Sequence, residues 1–279
     1  MLFQEQVRKV KQAAPKLAAT TNEQRNAALT AVREALLQHQ AEIFEANKQD
    51  LAQAEADGVS GPVRKRLKFD EGKLRDVTAG ISDLTKMEDP LFQTQFAREL
   101  DEGLVLKRVT CPIGVIGVIF EARPDALVQI SALCIKSGNC VILKGGREAL
   151  RSNKKLFDII HEAIIDAGLP ADSMMQLEAR SEINELLECH ESVDLLIPRG
   201  SNAFVQYIMN HTKIPVMGHA DGICHIYVDK DADLAKAVPI IVDAKTQYVS
   251  ACNTVETLLV HEAIKDQLLP MLKEALDAK

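Results

Sequence analysis

Tryptophan is absent from this chain of 279 residues, and tyrosine occurs only three times. No basic stretch interleaved with aromatics is present, and a formal net charge of −7 argues against general affinity for nucleic acid or an anionic membrane. No apolar run approaches the roughly 18 residues that cross a bilayer. The opening MLFQEQVRKVKQAAPKLAATTNEQ is a polar helical pattern with no apolar signal core. A cytoplasmic location is the expectation. The six cysteines, at 111, 134, 140, 189, 224 and 252, include no C-x-x-C pair, so neither a zinc ribbon nor a disulfide framework is expected. Cys189-His190 and Cys224-His225 are adjacent pairs, and neighbouring ligands chelate poorly, so no metal site is expected. Internal repeats and low-complexity segments are also missing. What remains, 47% hydrophobic and 26% charged residues, is the composition of an ordinary globular chain with one large core or two domains.

The first ninety or so residues carry helical patterns. Thr21 and Gln24 make a capping box, and Leu29, Val32, Leu36 and Ile43 then recur at helical spacing, predicting one long helix that ends near Gly58. A second helix is predicted over Glu71 to Leu84. From residue 103 the texture changes. Gly103 to Val109 alternates like a half-exposed strand, while Ile113 to Phe120 is a continuous β-branched run of the kind that is buried on both faces. Pro124 opens a helix that Ser137-Gly-Asn139 stops. Strands follow at Cys140–Leu143, Met174–Leu177, Val193–Ile197 and His225–Val228, with helices between them and one capped by Asp231 after the last. Strand and helix alternate with short turns four times, which predicts a parallel sheet covered by helices, with ligands at the carboxyl ends of its strands. Lys245 to Asn253 is predicted as a loop, followed by one strand and one helix. A single strand cannot satisfy its own edges, so this last part is expected to be an incomplete domain.

Two turns carry candidate binding chemistry. Lys144-Gly145-Gly146-Arg147 joins a buried strand to a helix start, where free N–H groups and two cations suit a phosphate or ribose. It is neither the G-x-G-x-x-G fingerprint nor a Walker A loop, and a plain turn is the alternative. Arg199-Gly200-Ser201 repeats the arrangement. Cys252 differs from the other cysteines because it sits in a polar loop, beside Asn253, where it can act as a nucleophile with Asn253 donating to an oxyanion; an idle surface thiol is the alternative. His219 is a candidate acid or base, or a histidine merely hydrogen-bonded in its loop.

Five blocks together resemble the γ-glutamyl phosphate reductases of the aldehyde dehydrogenase superfamily: Pro112 to Pro124, Ser137 to Ala149, Leu196 to Asn202, Gly222 to Asp229 and Cys252 to His261. The resemblance covers essentially the whole chain and the N-terminal two-thirds of the family's length. It implies an aldehyde dehydrogenase-like α/β fold. A Rossmann-like parallel-sheet cofactor domain would take residues 1–244 with the N-terminal helices, and an incomplete catalytic domain would take 245–279. A hairpin over 92–109 would form part of an oligomerisation arm, so a homo-oligomer is implied for the intact protein. The implied reaction is NADPH-dependent reduction of L-glutamyl 5-phosphate through a Cys252 thioester, the second step of proline synthesis. Lys144, Gly145, Gly146, Arg147, Arg199, Gly200 and Ser201 would face the cofactor, and Arg123 is a candidate for the substrate carboxylate, with a structural role beside Pro124 as the alternative.

Three departures from the wider superfamily matter. The Glu-Leu-Gly-Gly-Lys motif that holds a water-activating glutamate falls on Gly218 to Gly222, where no glutamate stands, and a thioester formed by displacing phosphate needs none. Arg147 occupies the place where many NAD-using relatives carry an acidic residue, which suits NADP. Ala122 stands where relatives use an oxyanion-hole asparagine. Competing readings are an acylating dehydrogenase that takes acyl-CoA, a non-catalytic nucleotide-binding or interaction module, and a piece of a bifunctional synthase.

Overall fold

The computed structural model describes residues 3–179, 181–218, 222–249 and 253–279. Its contacts divide the chain into two compact units, Met1–His219 and Ala220–Lys279.

The first unit begins with helices α1 (Phe3–Ala18), α2 (Asn22–Gln38), α3 (Gln40–Ala56), α4 (Gly61–Leu67) and α5 (Glu71–Lys86). The capping box forms as predicted: Thr21 Oγ accepts from Gln24 N at 3.2 Å, and Gln24 Oε1 accepts from Thr21 N at 2.8 Å. The single long helix does not form. His39, with φ −97° and ψ 18°, ends α2 and starts α3, and the break lets both Leu36 and Ile43 be fully buried. Strands β1 (Thr94–Asp101) and β2 (Leu104–Val109) then form an antiparallel hairpin. Both are exposed along their whole length, on both faces, and not half-buried.

The sheet of this unit contains β3 (Val115–Ile119), β4 (Cys140–Lys144), β5 (Met174–Leu177) and β6 (Leu195–Pro198), in the order β5-β4-β3-β6 and all parallel. The connections run through α6 (Pro124–Lys136), α7 (Leu150–Asp166) and α8 (Glu182–Leu187), and α9 (Asn202–Asn210) follows β6. Every residue of β3 and β4 is buried, as their unbroken apolar runs demand. α1 packs against β3, β4 and β5, so a helix whose sequence shows only amphipathic packing becomes part of the sheet's cover.

The second unit holds β7 (Cys224–Val228), α10 (Leu234–Thr246), β8 (Val255–Val260) and α11 (Lys265–Asp277). Here the structure corrects the expectation that the strand at His225–Val228 and its helix continue the same sheet. β7 pairs in parallel with β8, and Val228, Ile241, Val242, Ile264, Leu268 and Leu272 make a core of their own. The compact units therefore meet at 219/220, ahead of the expected boundary at 244/245. The cap of α10 is Asp233, whose Oδ1 accepts from Ala235 N at 3.0 Å, and not Asp231. The helix also continues through Lys245 and Thr246, which were expected in a loop.

Candidate functional site

The strand register sets the site. Ile119 lies opposite both Lys144 and Pro198, and Lys144 opposite Leu177, so the carboxyl ends of the four strands are level. The chain steps outward from β3 to β4 to β5 and then returns to the other side of β3 as β6. That reversal lies between the segments that follow β3 and β6, the place where parallel α/β sheets take ligands. Phe120 N donates to Lys144 O at 2.9 Å and Arg199 N to Ile119 O at 2.7 Å, so the three turns stay stitched together one residue beyond the strands. Arg123, the Lys144–Arg147 turn and Arg199–Ser201 all stand at this one edge.

Within the β4 turn each expected residue has a definite place. Lys144 is buried, its Nζ donates to the carbonyl of Gly145 at 2.7 Å, and burial holds its pKa below the ordinary lysine value against the opposing pull of Glu182 and Glu148. Arg147 is exposed. Internal packing leaves no room for a side chain at Gly145 and little at Gly146. A Cβ on Gly145 would stand 2.1 Å from Asn153 Nδ2, and one on Gly146 would stand 2.5 Å from Glu148 Oε2 and 3.2 Å from Ala122 N. Ala122 is thus buried under the β4 turn, packing with Ala54, Leu67 and Ala149.

The helix start that follows this turn corrects another expectation. The first N–H groups of α7 are not open to a ligand, because Asp50 of α3 is already there. Asp50 Oδ2 accepts from Ser152 N and from Ser152 Oγ, both at 2.7 Å, and Oδ1 accepts from Arg151 N at 3.2 Å and from Arg151 Nη1 at 3.4 Å. The second turn is different. Arg199, Gly200 and Ser201 are exposed, and Ser201 caps α9 with its own hydroxyl, accepting from Phe204 N at 3.3 Å. A Cβ on Gly200 would approach the Phe204 ring to 2.9 Å.

Arg123 Nη2 donates to Asp125 Oδ2 at 3.0 Å, and Lys73 Nζ reaches the same oxygen at 3.0 Å. Burial would raise the Asp125 pKa, but the bonds from these two cations outweigh it and hold the carboxyl below its usual range. The side chain of Arg123 remains half exposed at this edge.

Cys252 and His219 lie outside the described residues. Asn253 is exposed. Beside Asn253 in the chain, Thr254 Oγ1 donates to Tyr248 O at 2.7 Å, and Lys245 Nζ donates to Val255 O at 3.0 Å. Neither Thr254 nor Lys245 is marked by its sequence context. Asp50 was also missed from the sequence, although a signal for it exists. Ile43, Asn47, Asp50 and Ala54 form one buried helical stripe, and two polar residues inside such a stripe require partners.

The residues at this edge suit a nicotinamide cofactor: the strand reversal, the exposed cations Arg147 and Arg199, and a serine-capped helix start. Oδ1 of Asn153, under Gly145, is buried and finds no hydrogen-bond donor among the described residues. No helix among the described residues is long and apolar enough to cross a membrane.

Comparison with known proteins bears on this arrangement. The aldehyde dehydrogenase family model matches residues 3–278. The γ-glutamyl phosphate reductase of Pelotomaculum thermopropionicum is 55% identical over all 279 residues, which make up 64% of that relative's length. The chain therefore spans a little under two-thirds of the curated relative it matches. The crystal structure of γ-glutamyl phosphate reductase from Thermotoga maritima superposes with a TM-score of 0.95 at 35% identity, over 99% of this chain and 67% of that one. The corresponding enzyme from Saccharomyces cerevisiae gives 0.74 at 41% identity, over 100% of this chain and 70% of that one.

Proposed function

The chain belongs to the aldehyde dehydrogenase family, within its γ-glutamyl phosphate reductases, and from that membership we propose that it serves the NADPH-dependent reduction of L-glutamyl 5-phosphate to L-glutamate 5-semialdehyde and phosphate in proline biosynthesis. The observation that carries this reading is the 55% identity, over the entire chain, to an enzyme of that name.

Cys252 is the nucleophile. Its thiolate adds to the acyl carbon of the γ-glutamyl phosphate, the C–O bond to phosphate breaks, and inorganic phosphate leaves with the bonding pair. The thioester so formed is a better hydride acceptor than a carboxylate, and its collapse after reduction returns the thiolate and releases the aldehyde. Asn253 donates a hydrogen bond to the oxyanion, a role the Ala122 side chain cannot fill. No general-base glutamate is needed, because the acyl group is transferred from phosphate and never to water.

NADPH, when bound, supplies the hydride. Arg199, Gly200 and Ser201 hold its phosphates, and Arg147 pairs with the 2′-phosphate that separates NADP from NAD. Lys144 shapes the turn by bonding the Gly145 carbonyl, with Gly146 keeping the turn close to the β3 segment. Arg123 receives the substrate carboxylate. The exposed hairpin β1–β2 is an oligomerisation arm of a homo-oligomer in the cytoplasm.

The test is the reverse reaction. The chain is given pyrroline-5-carboxylate, phosphate and NADP, and NADPH is followed by absorbance. Phosphate-dependent NADPH formation that disappears in Cys252→Ser is the expected result. Formation that needs coenzyme A instead of phosphate would replace the acyl phosphate by an acyl-CoA. Equal rates with NAD and NADP would remove the role given to Arg147.

A further inference from the structure

Asp50 stands on a helix whose sequence shows only packing, yet its carboxylate lies nearly fully buried against the helix that leaves the cofactor turn. Three features tie it to that turn. The 3₁₀ segment Arg147–Ala149 runs directly from Gly146 into α7, so fixing Arg151 and Ser152 fixes the far end of the turn as β4 fixes the near end. Asn47, one helical turn before Asp50, donates to Ser152 Oγ at 3.1 Å and to Leu67 O at 2.9 Å, and accepts from Phe69 N at 2.8 Å. The apolar cluster of Ala54, Leu67, Ala122 and Ala149 then holds α3 against both the β3 and the β4 turns.

The charge at α7 has a consequence. A helix start attracts one anion because its unpaired N–H groups point at it. Here the carboxylate already accepts from two of them, so a phosphate brought to the same place would meet a like charge and find its donors taken. Arg151, held on one side by Asp50, keeps about half of its side chain exposed, four residues after Arg147.

We propose that Asp50 is a positioning residue for the Lys144–Arg147 turn: it is the resident anion of α7, it closes that helix start to the cofactor's phosphates, and it leaves Arg147 and Arg151 as the outward cations of the turn. The part concerning cofactor affinity rests on the reading of NADP binding above. The part concerning the resident anion does not.

The test uses the 279-residue chain with Asp50→Ala, Asp50→Ser and, as a control of ordinary instability, Ile81→Ala in the buried face of α5. Melting is followed in sodium sulfate and in sodium chloride of matched ionic strength, and NADP binding is measured by calorimetry. Sulfate can fill the place that Asp50→Ala vacates, so the gain in Tm specific to sulfate is expected to be larger in that variant than in wild type and in Ile81→Ala. Kd for NADP is expected to rise about fivefold to tenfold in the Asp50 variants, the size of a partly buried charge at a helix end, and to stay unchanged in Ile81→Ala. If Asp50→Ala does not fold, Asp50→Ser, which keeps a small acceptor, carries both arms. Equal sulfate gains in all chains overturn the proposal, as does a Kd that rises with falling Tm alike in Asp50→Ser and Ile81→Ala. A wild-type chain that binds no NADP counts against the cofactor reading, while the sulfate comparison still decides whether Asp50 is the resident anion.

Discussion

At the strand ends, packing and hydrogen bonds to neighbouring residues fix several single positions. Gly145 is the clearest case, because its missing Cβ is the space in which the Asn153 amide sits, and Phe120 Cε2 would stand 3.2 Å from that Cβ. Overpacking of this kind costs about 1–3 kcal/mol, and that is the expected loss in Gly145→Ala, measured by urea unfolding. Asn153→Ala removes both the clashing amide and an unpaired buried oxygen. The double variant should therefore be more stable than the sum of the two single losses, and strict additivity would show that the contact does not limit this site. Lys144 teaches a related lesson. From sequence it is a cation after a strand; in the fold it is a buried amine bonded to its own turn.

Among the elements, the hairpin has the least support of its own. β1 and β2 expose Phe96, Leu100, Leu104, Val105, Leu106 and Val109, and two strands alone are marginal in water. An arm of this kind needs a covering surface, and a second copy of the chain supplies one in the homo-oligomer proposed above. Leu104→Lys combined with Leu106→Lys is expected to shift the protein towards monomer in sedimentation velocity. An unchanged assembly would assign the interface to another face. α3 shows how far an element's role can exceed its pattern. Its amphipathic stripe predicts packing, and the two polar residues within that stripe turn out to organise the neighbouring turn.

At the scale of the molecule, the two units have separate apolar cores, one around the four-stranded sheet and one between α10, α11 and the β7–β8 pair. Leu268 is fully buried in the second core. Leu268→Ala is expected to cost about 2–5 kcal/mol, read as faster hydrogen exchange in the amides of α10, α11 and β8. Unchanged exchange there would mean that this core does not limit the unit's opening. The strands of the sheet, though not their order, and the capping box were legible in advance because they follow from local rules: apolar runs bounded by glycine and proline, and a threonine three residues before a glutamine. The place of β7 was not. Its residues Cys224 to Val228 are a good strand for any parallel sheet, and periodicity carries no information about which neighbour a strand will choose.

The sequence by itself determined the class of fold, the two Gly-containing turns and the family, because five blocks in fixed order over the whole chain are specific. Only the tertiary structure decided that β7 leaves the main sheet for β8, and that His39 breaks the predicted long helix. It also decided that the start of α7 is filled by Asp50 from a helix about a hundred residues earlier in the chain. The reason is physical. Local preference acts over a few residues, whereas strand partnership and the burial of a charge are settled by groups far apart in sequence that meet only when the core closes.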